Sequence, residues 1–174
     1  MQPEDITAEL KEDNQLVSSW LIYYQTRKQD VEMIRDEILY RTQQPGSDRV
    51  SSSTISDPAY QRAEELQRKT ETDLKWLETV DMVKRMLGPK KLLLLELRQS
   101  EAEQPITKGR RGRPGWVIWV QCQWAETYAK QSGYPVDVCW ISDGMIRSMW
   151  SDIVARTAIL AAKRGLLARA KKGI

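Results

Sequence analysis

Histidine and phenylalanine are both absent from this 174-residue chain. Without histidine, the commonest general base and the commonest metal ligand are missing. Cys122 and Cys139 are the only cysteines. Two cannot build a four-cysteine zinc site, and neither Cys-x-x-Cys nor His-Glu-x-x-His spacing occurs. The Gly-x-x-x-x-Gly-Lys-Ser/Thr phosphate loop is missing as well. Paired carboxylates such as Glu64 and Glu65 fall in a charge-rich helical stretch and read as solvated surface. The expectation is a protein that is not an enzyme and uses no cofactor and no metal. Long apolar runs are also lacking. The longest, such as Trp116 to Val120, reach five residues, against the ~18 of a membrane span. The acidic N-terminus has no signal-peptide core, so a cytoplasmic protein without membrane contact is expected. The two cysteines, 17 positions apart, fit either a reduced pair or a disulfide. With no phenylalanine, aromatic packing falls to seven tryptophans and six tyrosines, and five of the tryptophans lie between 116 and 150. Core packing explains that cluster, and base stacking is the alternative use for it.

The net charge of +3 conceals an asymmetry. Residues 105–174 hold 12 Lys/Arg against 4 Asp/Glu, whereas residues 1–104 hold 15 against 20. Cations gathered in one region are the electrostatic footprint of a polyanion partner. They concentrate in Lys108-Gly109-Arg110-Arg111-Gly112-Arg113-Pro114-Gly115, with four cations and three glycines in eight residues. Such a loop cannot bury its charge, and Gly112 and Pro114 prevent a helix. Gly112 lets an extended backbone lie on the floor of a narrow minor groove while Arg111 and Arg113 reach along it. Arg-Gly-Arg-Pro resembles the core of the AT-hook motif. A solvated basic loop is the plainer reading.

Periodicity predicts helices throughout. The first covers about residues 5–42, with a break near 13–18, and carries Val17, Trp20, Tyr24, Val31, Ile34 and Ile38 on one face. That stripe is either core or a coiled-coil seam in which Arg27 sets register. Residues 43–57 read as a loop, with Pro45-Gly46 and a serine run. Asp57 and Pro58 then open a helix running to about Leu87, with Ala63, Leu66, Thr70, Leu74, Leu77 and Val80 on one face. Gly88-Pro89 ends it, with Gly88 as a left-handed cap. A third helix spans about 90–100, and its leucines require a core around it. The basic loop 104–115 follows. Then comes a helix over about 116–131, with Trp116, Val120, Trp124 and Tyr128 on one face, ending at Gly133 and Pro135. Ser142 caps the last helix, which runs to about Arg164 or beyond. Ile146, Met149, Trp150, Ile153, Thr157 and Leu160 form its buried stripe. Its opposite face carries Asp143, Gly144, Arg147, Ser148 and Ser151, with Arg156, Lys163, Arg164, Arg169, Lys171 and Lys172 further along. This is the layout of a helix-turn-helix recognition helix, whose first turns meet base edges and whose later cations meet phosphates. An amphipathic helix with a solvated basic tail is the bland alternative.

Arg35-Asp36-Glu37-Ile38-Leu39-Tyr40, the serine-rich loop and Ser56-Asp57-Pro58-Ala59 resemble the N-terminal signature of the RinA/ArpU family of phage-encoded activators of late packaging and lysis genes. Leu92-Leu93-Leu94-Leu95-Glu96-Leu97-Arg98 resembles the helix that opens the family's sigma-factor-like helix-turn-helix. Ile141-Ser142, Ile146 and Ile153 resemble its turn and recognition helix. The chain departs from that pattern in two places. The region containing Arg-Gly-Arg-Pro is long where the family has a short acidic turn, and Gly144 and Met145 stand where polar side chains are common.

The expected fold is all-α: a helical hairpin arm over residues 1–87 and a helix-turn-helix module over 88–174 with the basic loop 104–115. The resemblance implies a double-stranded-DNA-binding transcriptional activator in a bacterial host cytoplasm, forming homo-oligomers, with RNA polymerase as a further partner. The expected DNA-binding residues are Lys108, Arg110, Arg111, Arg113, Ser142, Arg147, Ser148, Ser151, Arg156, Lys163 and Arg164, with Arg147 the candidate for a bidentate guanine contact. Two alternatives stand beside this. One is a small terminase subunit whose helical arm builds a ring. The other is a helical interaction protein whose acidic arm is the working surface.

Overall fold

A computed structural model of the chain describes residues 3–40, 58–103 and 115–167. The loop expected at 43–57, the cap expected at Asp57, the basic loop from 104 through Pro114, and Arg169, Lys171 and Lys172 lie outside the described residues. The protein is all-helical, with no strand among the described residues. Its elements are α1 (Pro3–Ile22), α2 (Tyr24–Tyr40), α3 (Pro58–Met86), α4 (Pro89–Glu103), α5 (Trp116–Ser132), a 3-10 turn (Val136–Cys139) and α6 (Asp143–Lys163). None of these helices is long and apolar enough to cross a membrane.

Several boundaries follow from local chemistry. Pro58 and Pro89 open α3 and α4, where the missing N–H costs nothing and the fixed φ suits a helix. Gly133 stops α5 at φ 75°, its N–H donating to the Ala129 carbonyl at 2.9 Å. Gly165, at φ 71°, does the same for α6, and the Leu166 N–H reaches back to the Ala161 carbonyl at 2.9 Å. That pair of bonds closes a Schellman-type end. Gly88 corrects the sequence reading. It is not left-handed; its carbonyl accepts from the Leu92 N–H at 3.0 Å, so it opens α4 rather than capping α3.

The first helix also differs from expectation. Its break falls at Tyr23, not near 13–18. Beside the break, the buried Gln99 of α4, 78 positions away, donates from Nε2 to the Leu21 carbonyl at 2.7 Å. A side chain inserted into the helical ladder in this way is a recognised cause of kinks. Around the break, Lys84 Nζ lies 4.0 Å from the Tyr24 ring centroid and donates to Gln99 Oε1 at 3.4 Å. The Tyr24 hydroxyl donates to Asp81 at 2.6 Å. Arg27 stacks over Trp20 at 4.0 Å and donates to Ser19 Oγ at 3.1 Å. Trp20 in turn lies flat on Trp76 of α3, with centroids 5.3 Å apart and planes 5° apart.

One hydrophobic cluster joins all six helices, α2 through Tyr24 and Val31, and runs across residue 88. α4 is its centre, packed by α1, α5 and α6. That surround explains why the successive Leu93, Leu94 and Leu95 are all buried, which a helix with one covered face could not achieve. Buried Thr70, Thr79 and Thr157 stay satisfied by donating to the carbonyls of Leu66, Lys75 and Ile153, four residues back. The expected stripe of α3 holds only in part. Thr70, Leu77 and Val80 are buried, but Leu74 and Ala63 are exposed, and Trp76, Thr79 and Val83 take core positions instead. α3 packs against α2, α6 and α1, and its ties to α1 at Trp76 and to α6 at Glu78 lie in its second half, which turns its buried face. Both cysteines are free thiols, Cys122 exposed and Cys139 buried.

Burial, reinforced by the bond to Asp81, pushes the Tyr24 hydroxyl up to about 12 from 10.0. A group with a raised folded pKa contributes stability that is complete below its unfolded pKa and lost as pH rises through the folded one. Stability should therefore fall between pH 10 and about 12. Tyr24→Phe should flatten that alkaline loss in urea-melt series, and an equally steep loss in the variant would place its origin elsewhere. Gln99→Leu, which leaves the Leu21 carbonyl without its buried donor, should cost about 1–3 kcal/mol, read from the urea midpoint. An unshifted midpoint would show that the amide does not hold the break.

Candidate nucleic-acid interface

The segment from Gly133 to Ser142 fixes how α6 leaves α5. The 3-10 turn Val136–Cys139 buries Cys139, and Ile141 is buried two residues later. Gln121 of α5 donates from Nε2 to the Ile141 carbonyl at 3.0 Å. Ser142, in extended conformation, then caps α6 by accepting the Met145 N–H at 3.3 Å, a standard use of serine at this position. Asp143 in the first turn complements the positive end of the helix dipole. Ile146, Ile153, Val154, Thr157 and Ala161 hold the inner face of α6 in the core, whereas Met149, Trp150 and Leu160 from the expected stripe are half-buried.

Four expected residues come together on the open side of this helix start. Ser142, Arg147, Ser148 and Ser151 are all exposed, with Gly144 among them. A Cβ at Gly144 would meet nothing within 4 Å, so no internal packing demands glycine there. Arg147 is not free in the chain alone: its Nε donates to Asp143 at 2.7 Å, with both side chains more than half exposed. Such an exposed pair is worth at most about 1 kcal/mol, so a stronger acceptor could displace the carboxylate.

The three remaining described cations lie elsewhere. Arg156 and Lys163 border a shallow cleft against Val83 and Leu87 at the end of α3. Arg156 donates to Asp152 at 2.8 Å, and Asp152 also takes the Lys91 ammonium at 2.5 Å. The bonds from Lys91 and then Arg156 hold the Asp152 carboxyl below its usual value. Arg164 pairs with Glu78 of α3 and approaches Met82 Sδ at 3.2 Å. It thus ties α6 to α3. Lys108, Arg110, Arg111 and Arg113 lie outside the described residues.

The tryptophans divide by role. Trp124 is buried and stacks on Tyr128 at 5.7 Å. Trp116 and Trp150 meet at 6.0 Å and flank Arg98, which pairs with the buried Glu101. Trp140, just before the cap, is the open one, 60% exposed, and Val136, Val138 and Met145 are exposed near it in sequence. Sequence reasoning overlooked Trp140, although its place beside the Ile141-Ser142 turn was a usable signal. It also overlooked Asp152. The Asp152–Arg156 spacing of four was legible, but the Lys91 contact, 61 positions distant, was not.

No protein-family model matches this chain, and neither a curated protein nor a solved structure matches it.

Ser142→Ala removes the side-chain oxygen that caps the Met145 N–H at the start of α6. It should cost about 1 kcal/mol, measured by urea unfolding, and Ser142→Asp should retain most of that stability. A neutral Ser142→Ala would mean that the buried Ile141, not the cap, sets the helix start.

Proposed function

We propose that the chain binds duplex DNA, with α6 as a recognition helix in the major groove and Arg111 and Arg113 in a flanking minor groove. The observation that carries this reading is the open start of α6. A capped helix, held from behind by buried Ile141 and Ile146, presents Gly144, Arg147, Ser148 and Ser151 to solvent. Small side chains around one arginine suit close approach to base edges, and a bidentate Arg–guanine pair is the commonest specific contact. The excess of cations over residues 105–174 supplies the phosphate attraction. In this reading α5, the 3-10 turn and α6 form the helix-turn-helix. Residues 88–174 bind DNA, and residues 1–87 form a hairpin arm for association. The resemblance to RinA/ArpU activators extends the proposal to transcriptional activation of phage or prophage late genes, with no catalytic step.

A second reading rests on the apolar row of Val136, Val138, Trp140 and Met145, exposed by 51–66%. Exposed apolar residues gathered in one segment point to a protein contact. For an activator that contact would be RNA polymerase, and in a pure interaction protein it would be the main function.

Selecting bound sequences from a random duplex pool with the full chain tests the first reading. Affinity should fall with salt by about 0.9 log units per log unit of salt for each phosphate neutralised. Arg111→Ala with Arg113→Ala should weaken binding and erase A·T preference beside the site. Arg147→Ala should relax sequence choice by about 1–3 kcal/mol, whereas equal losses on every sequence would reduce Arg147 to a phosphate contact. No measurable binding at low salt would reject the DNA reading and leave the protein-contact one.

A further inference from the structure

The first half of α3 is poorly covered. Among its described side chains from 60 to 75, only Thr70 is buried. Together with α2 it forms one wall each of an open groove of ≈ 580 Å³. The groove is lined by Val31, Leu66, Leu74 and Leu77; Val31 and Leu77 lie buried at its floor, Leu66 is half-buried and Leu74 is 44% exposed. Two helices alone cannot enclose such a seam, which needs a further helical layer.

We infer that the occupant is a second copy of this chain, the two α2–α3 pairs closing face to face as a four-helix bundle. Charge and size argue for a copy. The α2 wall carries Lys28, Glu32 and Arg35, a net positive charge, and the α3 wall carries Glu78 and Asp81, a net negative one. When α2 of one copy lies over α3 of the other, the net-positive wall of each faces the net-negative wall of its partner, as a two-fold, self-complementary interface requires. From Ala63 to Asp81 the groove runs about 27 Å at 1.5 Å per residue. Over two helices with axes about 8–10 Å apart, that face is on the order of the ~800 Å² per partner of a standard stable interface. The groove is distant in sequence from the proposed DNA-reading residues, so this inference does not rest on the DNA reading.

Light scattering of the full chain, without DNA, tests it. The expected mass is that of two chains. Ala63→Glu with Leu74→Glu places charges at positions already exposed in the single chain, so circular dichroism should keep its helical signal while the mass falls to one chain. Lys28→Glu with Arg35→Glu, also at exposed positions, should raise the dimer dissociation constant tenfold or more. Met33→Glu, 68% exposed and outside the groove, should leave the dimer intact. A monomeric wild type, a ring of more than two chains, or an Ala63→Glu/Leu74→Glu variant that stays dimeric would overturn the inference. A dimer that ignores DNA would leave it standing and sink the DNA reading; a monomer that binds DNA would do the reverse.

Discussion

The bond from Gln99 to the Leu21 carbonyl organises the rest of the molecule. A buried carbonyl must be paired, and here a donor from α4 reaches it. The bond stands where one continuous helical sequence divides into two helices. α1 packs on α4 and α6, and α2 runs along α3. Tyr24, Arg27 and Lys84 then cover the break with rings and cations: the Tyr24 hydroxyl bonds Asp81, and Arg27 lies over the Trp20 ring. Val17 and Trp20 before the break and Tyr24 and Val31 after it enter the same core as Leu94.

α4 makes this economical. Its successive buried leucines are served from several sides at once, and its last turns hold Arg98 between Trp116 and Trp150. A chain without phenylalanine thus uses indole faces both to fill volume and to cover a guanidinium that pairs with buried Glu101. Removing one charge from such a pair costs more than the pair is worth, so the junction of α4, α5 and α6 tolerates little change beneath the proposed DNA-reading surface.

What was legible in the sequence was local. Pro58, Gly133 and Ser142 mark helix ends through their own backbone chemistry, and each stands where that chemistry places it; Pro89, read as a stop after α3, opens α4. The open start of α6 was legible for the same reason, since a cap and a 3.6-residue period fix which side chains share a face. The break at Tyr23, the Lys91–Asp152 pair and the Arg164–Glu78 tie depend on residues 61 to 86 positions apart. No window of sequence contains both partners. The α3 stripe failed for a related reason: periodicity shows which residues share a face but not how many neighbours that face will meet. Arg164, read from the sequence as a phosphate contact, is engaged within the chain by Glu78.

α3 passes without interruption from its open first half into the core, and Trp76 marks where it becomes anchored against Trp20. From Trp76 back to Pro58 the helix measures about 27 Å at 1.5 Å per residue, with α2 alongside it. Two residues past Trp76, Glu78 grips Arg164 at the end of α6. A single turn of α3 is thus riveted to α1 by an indole stack and to α6 by an ion pair.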